Sequence, residues 1–534
     1  MNASVLLYDY FDESARKFPE KEALIFGDER YTYSDLYKRV NVLADVLVNI
    51  GLKRQDRVLI YMDNSPEEVI SFYAAMKAGG IFAIINSSVQ LQKFTYIIND
   101  AKPAVIIADY KKKNIVDKAL KATNHECAII WIGADASARE LQNNLDIYFW
   151  SSFFTVSALN TGNYEAQYTH VNRCLDLDLA GLIYTSGSTG DPKGVMESHR
   201  SMISAARSII QYLQNTQDDI ILNTLPLSFD YGLYQVIMAL MFGGTVVLEQ
   251  SFIFLSRVLN LIAKEKVTGF PIVPTIVAMI FKTIDLNSFD LRSLRYLTNT
   301  GAAFPVEHIK KLRTAMPHVQ IYSMFGLTEC KRISYLPPEK VDQKPDSVGK
   351  AMPNCEVFIL DEDGELVKTG DVGELVVRGT NVMQGYWNAP KQTAKTFRPA
   401  LGFSENLLFT GDFFKQDSEG YLYFLGRNDD MIKSRGERIS AKEVEHIISQ
   451  VEGVNECAVV GVDDEILGQA IKAYVSVVPG REKNKNHIMQ YCAKNLEPYS
   501  VPKYVQFMEE LPKTPHGKID KKMLKGNSVK RAAK

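Results

Sequence analysis

Between residues 5 and 110, short apolar runs alternate with stretches whose hydrophobic positions recur at helical spacing. Tyr31-Thr32-Tyr33 precedes a helix predicted over about Ser34 to Ile50, which Gly51 ends. Val58-Leu59-Ile60-Tyr61 reads as a strand, Glu67 to Lys77 as a helix, and Gly80 to Ile85 as a strand again. Helix Leu91 to Asn99 and strand Ala104 to Ile107 repeat the pattern. Strand and helix in regular alternation predict an α/β fold, with a largely parallel sheet covered by helices on both faces.

The alternation fades between residues 134 and 178, where asparagine and glycine suggest an irregular connection, and resumes from 181 to about 335. Strands are expected at Ile220 to Leu222, Thr245 to Leu248, Val267 to Phe270, Leu294 to Thr298 and Gln320 to Met324. Pro226 to Gly232 opens a helix running to about Phe242. Ligands of an open parallel sheet bind at the carboxyl ends of its strands. Gly301-Ala302-Ala303 and Phe325-Gly326-Leu327-Thr328-Glu329 fall at such ends. Residues 345 to 425 change to short alternating runs with many glycines, which predicts a small β-rich subdomain. Gly426-Arg427-Asn428-Asp429-Asp430 is a polar boundary. A compact α+β unit follows, with helices at Ala441 to Val451 and Asn486 to Leu496 and strands at Ala458 to Val462, Ala470 to Val478 and Tyr504 to Phe507. The expectation is a large domain over 1–425 and a small one over 426–534, whose lysine-rich end is expected to be disordered.

Composition narrows the class. At 534 residues the chain is too long for one compact core. A net charge of −2 leaves no polyanion footprint, so no nucleic-acid partner is expected. Acidic residues within the first dozen positions exclude a signal peptide, and no run reaches the roughly 18 apolar residues of a membrane span. The six cysteines are scattered without CxxC or metal spacing, which predicts reduced thiols in a cytoplasmic enzyme.

The segment Leu182-Ile183-Tyr184-Thr185-Ser186-Gly187-Ser188-Thr189-Gly190-Asp191-Pro192-Lys193-Gly194-Val195 carries the chemistry. An apolar strand opens into a loop of glycines and small hydroxyl residues with one lysine, and a helix follows from about Ser198 to Leu213. Glycines let the backbone approach an anion; N–H groups and hydroxyls then surround phosphate oxygens while Lys193 adds charge. A Walker-type loop requires Gly-Lys followed by Ser or Thr, and here Pro192 precedes Lys193 and Gly194 follows it.

This loop resembles the signature loop of the adenylate-forming superfamily, which includes acyl- and aryl-CoA ligases, peptide-synthetase adenylation domains and firefly-type luciferases. Further blocks follow in the family's order, covering most of the chain from residue 180, with a weaker likeness before it. The resemblance implies that Thr185, Ser186, Gly187, Ser188, Thr189, Gly190 and Lys193 hold the β- and γ-phosphates of ATP. Thr328 and Glu329 would serve the Mg²⁺ joined to those phosphates. Phe325, where the family usually has Tyr, keeps adenine stacking but loses a phenol hydrogen bond; Gly326, Gly301, Ala302 and Ala303 complete that side. Asp412 would take the ribose hydroxyls, since an ionised carboxylate only accepts, and Arg427 would reach ribose or phosphate. Asp429 is the implied hinge. Lys433 and the loop at Gly436 would border the pantetheine path, with Arg438 and Glu443 equally readable as a structural ion pair. Lys518 would bridge carboxylate and α-phosphate during adenylation, where a cation stabilises crowded negative charge. His199 reads as packing.

Phe229, Asp230, Asn299, Gly301 and Met324 are the implied acid pocket. Asp230 hints at an amino-bearing acid, although a helix N-cap is an equal reading. The resulting expectation is a ligase that makes an acyl-AMP and transfers the acyl group to coenzyme A. The alternative is a stand-alone amino-acid activator that loads the phosphopantetheine of a separate carrier protein. A luciferase-like oxidase and a non-enzymatic binder are further readings; the binder would be expected to lack Lys518, Glu329 or Asp412.

Overall fold

The computed structural model describes residues 5–134, 146–154, 174–186, 191–301, 304–427, 431–434, 437–464, 468–478, 480–481, 483–496, 500–513, 519–521 and 523–525. The chain forms a larger unit, residues 1–357 with 377–408, and a smaller one, residues 358–376 with 409–534. It passes between them inside the strands Cys355–Leu360, Gly373–Gly379 and Leu407–Gln416. The fold is α/β, and the βα alternation is present as expected.

Among the described residues the larger unit holds a seven-stranded and a nine-stranded sheet. In the first, Arg57–Tyr61 lies between Ile81–Ile85 and Val105–Asp109, parallel to both. The intervening helices Pro66–Lys77 and Leu91–Ala101 match the sequence periods. Ser65 caps the former by accepting from the Glu68 N–H, which satisfies one of the donors a helix start leaves orphaned.

The second sheet sets up the site. Its parallel strands lie in the spatial order Gln320–Phe325, Tyr296–Asn299, Gly269–Ile272, Ile220–Asn223, Thr245–Leu248, Glu22–Phe26. From Ile220–Asn223 the chain steps outward to Thr245–Leu248, then returns to Gly269–Ile272 on the other flank. The strand order therefore reverses beyond Asn223 and Ile272, and such a switch point opens a crevice at the carboxyl ends. Helix Asp230–Phe242 starts beside it and is buried from Asp230 through Leu240. A helix apolar on nearly every face belongs in a core, and each large aliphatic chain it buries stabilises the fold by about 1.5–3 kcal/mol.

Three local expectations change. Residues Pro192–Ser198 form a strand antiparallel to Leu179–Ser186, with Thr185 opposite Lys193, where the sequence reading expected no second strand before the helix. The helix after it is His199–Leu213, capped by Ser198. Asp230 is the first helical residue and Phe229 holds the N-cap, so Asp230 is not the cap. In the smaller unit an extra hairpin, Met431–Ser434 with Glu437–Ser440, joins the sheet that contains Val454–Asp464, Gly468–Val477 and Tyr504–Phe507. Helices Ala441–Ser449 and Lys485–Asn495 pack on it.

Candidate active site

The hairpin delivers Lys193 next to a short extended segment, 383–387. Met196 N–H donates to Gly385 O (2.9 Å) and Trp387 N–H to Gly194 O (2.8 Å), which seats this segment along the strand. A side chain at Gly194 would begin 3.3 Å from both Trp387 and Tyr184, a tight contact that either side chain would have to relax. Lys193 Nζ stands 5.5 Å from the centroid of the Tyr386 ring, a cation–π contact. The Tyr386 hydroxyl donates to Glu329 Oε1 at 2.7 Å. Burial, then the Glu329 charge, raises the Tyr386 phenol above its ordinary pKa, so it remains a donor. Lys193 and Glu329 are thereby tied through one ring. Gly187, Ser188, Thr189 and Gly190 lie outside the described residues, and Thr185 and Ser186 occupy the last positions of the leading strand.

Glu329 sits on the turn between Gln320–Phe325 and Ser334–Tyr335, which pair antiparallel with Phe325 opposite Ser334. Gly326 permits the turn to close, because a Cβ there would lie 1.9 Å from Lys331 O. Lys331 adopts φ 63°. The Asn381 amide donates to Cys330 O (2.7 Å) and Arg332 O (3.0 Å), and Met383 N–H donates to Glu329 O (2.8 Å). Both strands and the 381–387 segment thus fix the carboxylate's position. One carboxylate with the neighbouring Thr328 hydroxyl fits a Mg²⁺ that takes its other ligands from phosphates and water; among the described residues no group of three His, Cys, Asp or Glu forms a metal cage.

Beyond that turn lies a buried charge cluster that sequence reading missed. Lys331 pairs with Glu197, and the two side chains are 1% and 0% exposed. Ser201 Oγ donates to Glu197 Oε2 at 2.8 Å. Burial pushes the Glu197 carboxyl up to about 7 against the opposing pull of Lys331. Arg332 Nη1 stands 3.8 Å from Asp230 Oδ2 and donates to Lys331 O at 2.8 Å. The guanidinium also lies 4.6 Å over the Tyr231 ring, whose hydroxyl donates to Thr298 O at 2.6 Å. Burial raises the Asp230 carboxyl, and Arg332 and Lys331 oppose the shift. The sequence signal was available: Lys331-Arg332 is a dibasic pair set between Cys330 and the apolar Ile333, all of them buried.

Of the acid-pocket candidates, Gly301 and Phe229 are neighbours. Asn299 ends its strand between Ile272 and Ser323. Gly301, at φ +82°, lies under the Phe229 ring, 3.3 Å from where its Cβ would be. Met324 is buried and its sulfur accepts from the Tyr212 hydroxyl at 2.9 Å. Ala302 and Ala303 lie outside the described residues. His199 is buried with Nδ1 accepting from the Leu7 N–H at 3.2 Å, and burial pushes its pKa down to about 4. It packs as a neutral ring.

In the smaller unit Asp412 and Arg427 are cross-strand partners, with Nε 3.3 Å from Oδ1. Asp412 is 1% exposed and the Arg427 side chain 65%. The turn before Asp412 is held by Gly411 N–H donating to Glu374 (2.9 Å) and Thr410 Oγ1 donating to Leu375 O (2.7 Å). Lys433 lies opposite Arg438 in the extra hairpin. Asp429, Gly436 and Lys518 are outside the described residues. Lys513 and Ile519 form a bridge, and Lys513–Glu456 (2.8 Å) and Lys521–Glu445 (2.7 Å) ion pairs anchor the chain on either side.

Comparison with known proteins agrees with this architecture. Residues 11–387 match the family model described as AMP-binding enzyme, and residues 443–518 match the AMP-binding enzyme C-terminal domain. The chain is 30% identical over 532 residues to a long-chain-fatty-acid–CoA ligase of Bacillus subtilis (strain 168), covering 97% of this chain and 94% of the relative. It is 29% identical over 522 residues to one of the linear gramicidin synthase proteins of Brevibacillus parabrevis, covering 97% of this chain but spanning 6% of that protein. The ATP-bound crystal structure of MatB from Rhodopseudomonas palustris superposes with a TM-score of 0.82 at 26% identity, over 97% of this chain and 98% of the other. The chain therefore belongs to the AMP-binding enzyme family, the adenylate-forming superfamily.

Proposed function

We propose that this enzyme activates a carboxylic acid with ATP and then transfers the acyl group to a phosphopantetheine thiol, that of coenzyme A. The supporting observation is the Lys193–Tyr386–Glu329 line beside the strand-end crevice, which joins a phosphate-binding cation to a carboxylate suited to Mg²⁺. Thr185 and the 186–190 loop would hold the outer phosphates with Lys193. Phe325 would stack on adenine, and Asp412 with Arg427 would engage the ribose. Bound Mg²⁺, held by Glu329, would supply charge neutralisation at the phosphates. Phe229, Asn299, Gly301 and Met324 would line the acid. The acid's carboxylate oxygen attacks the α-phosphorus, the bond to the bridging oxygen breaks, and pyrophosphate leaves. Lys518 would offset charge at that moment. The C-terminal stretch, 426–534, turning about Asp429, would then bring Lys433 and the Gly436 loop to the thiol path. The thiol gives its proton to solvent, its sulfur attacks the acyl carbon, and the bond from that carbon to the phosphate oxygen breaks to release AMP. Water exclusion would protect the mixed anhydride.

The similarity to a peptide synthetase over nearly the whole chain favours a second reading, in which an amino acid is loaded on a separate carrier protein. Asp230 would then pair with an α-ammonium, but its carboxylate already faces Arg332. Pyrophosphate release across aliphatic, aryl and amino acids, with and without coenzyme A, separates the two. Release with non-amino acids, and thioester only when coenzyme A is added, is the expected result. Release with amino acids alone would replace the first reading by the second.

A further inference from the structure

The Arg332 side chain is 4% exposed and lies at the crevice beside Asp230. Its Nη1 hydrogen bond goes to a backbone carbonyl, and Asp230 at 3.8 Å is beyond hydrogen-bond length. Arg332 Nε has no hydrogen-bond partner among the described residues. One turn along the helix from Asp230, the buried hydroxyl of Tyr234 is also without a partner among them. A buried guanidinium edge and a buried phenol left unmatched are costly. A purely apolar acyl chain brought against these two atoms would leave the cost in place. The cluster already sets two acids, Glu197 and Asp230, against two bases, Lys331 and Arg332.

We infer that the Arg332 Nε edge, with the Tyr234 hydroxyl, is a specificity device that takes an uncharged oxygen acceptor, a hydroxyl or oxo group, on the acid being activated. This rests on the reading of the crevice as the acid pocket. A hydroxyl satisfies the site best, since it accepts from Arg332 and donates to Asp230. A site built to hydrogen-bond a substrate group discriminates strongly against analogues lacking it, because its own polar atoms are then stranded. The α-ammonium of an amino acid would meet Arg332 as a like charge.

The test compares kcat/KM for pyrophosphate release among acids of one chain length: unsubstituted, hydroxy, oxo, amino and dicarboxylic. With the wild-type enzyme, the best hydroxy or oxo acid is expected to exceed the unsubstituted acid by about tenfold or more. In Arg332→Met, and in the paired Arg332→Met/Asp230→Asn variant that strands no buried charge, that ratio is expected to collapse to about one. Arg332→Lys, which lacks the planar fork, should also lower it. A wild-type ratio near one, a ratio that survives in the folded paired variant, or a dicarboxylic acid preferred over both neutral oxygenated acids would overturn the inference. Pyrophosphate from no acid at all would overturn the proposed function as well.

Discussion

Glu197 shows how one buried carboxyl shapes stability. Its pKa is raised in the folded protein to about 7 from an ordinary 4.5, chiefly by desolvation. The folded state therefore binds the proton more tightly than the unfolded chain, and between those values stability falls as pH rises. Below about pH 4.5 the carboxyl imposes no penalty of this kind, and above about 7 the penalty is complete. Replacing it with the uncharged isostere, Glu197→Gln, is expected to flatten this part of the pH dependence. Thermal melts of both proteins at pH 5 and pH 8 check it; parallel slopes would contradict the assignment. Lys331 and Arg332 were legible as letters but not as a site, because a dibasic pair is ordinarily a solvated surface. Only the tertiary approach of Glu197 and Asp230 lets them be buried. Phe229, Asp230, Asn299 and Met324 were named through the family resemblance, and Arg332 was not.

Two strands and a turn carry the charged line, and their chemistry explains what the pattern hid. Pro192-Lys193-Gly194 carries turn formers, and Glu197, Ser198 and His199 are polar, so the segment lacks an apolar run. Yet it is extended because it pairs with a strongly apolar neighbour on one side and the 383–387 segment on the other. The parallel strands, by contrast, were visible as continuous runs, since both their faces are covered. Tyr386 was not singled out in the sequence, although it joins Lys193 to Glu329. Tyr386→Phe keeps the ring beneath Lys193 and removes the hydroxyl. A charge-assisted hydrogen bond of about 1.5–3 kcal/mol corresponds to roughly a 10- to 100-fold loss in the adenylation rate. Unchanged pyrophosphate release in that variant would show that the link does not position Glu329.

At the level of the whole chain, the alternation of strand and helix was enough to give the α/β class and a small C-terminal domain. The smaller contact unit combines two separate stretches, 358–376 and 409–534, a division the sequence reading did not foresee. Lys518 falls in sequence between the bridged residues Lys513 and Ile519, with an anchoring ion pair on either side. If it serves the first chemical step alone, Lys518→Ala should slow acyl-AMP formation by about 10²- to 10³-fold, the scale of losing one group aimed at transition-state charge. Thioester formation from supplied acyl-AMP should change far less. Equal losses in both half-reactions, measured separately by pyrophosphate release and by thioester yield, would exclude a lysine that acts and then withdraws.

That interleaved chain path governs how the molecule is born and how it can be cut. Residues 358–376 leave the ribosome before 377–408, which belong to the other unit, and long before 409 onward. That first part of the smaller unit, whose strands Cys355–Leu360 and Gly373–Gly379 are neighbours in one sheet, therefore meets the rest of its unit only after translation has passed through 377–408. Severing the gene at 425 would strand 358–376 and 409–425 on the wrong fragment.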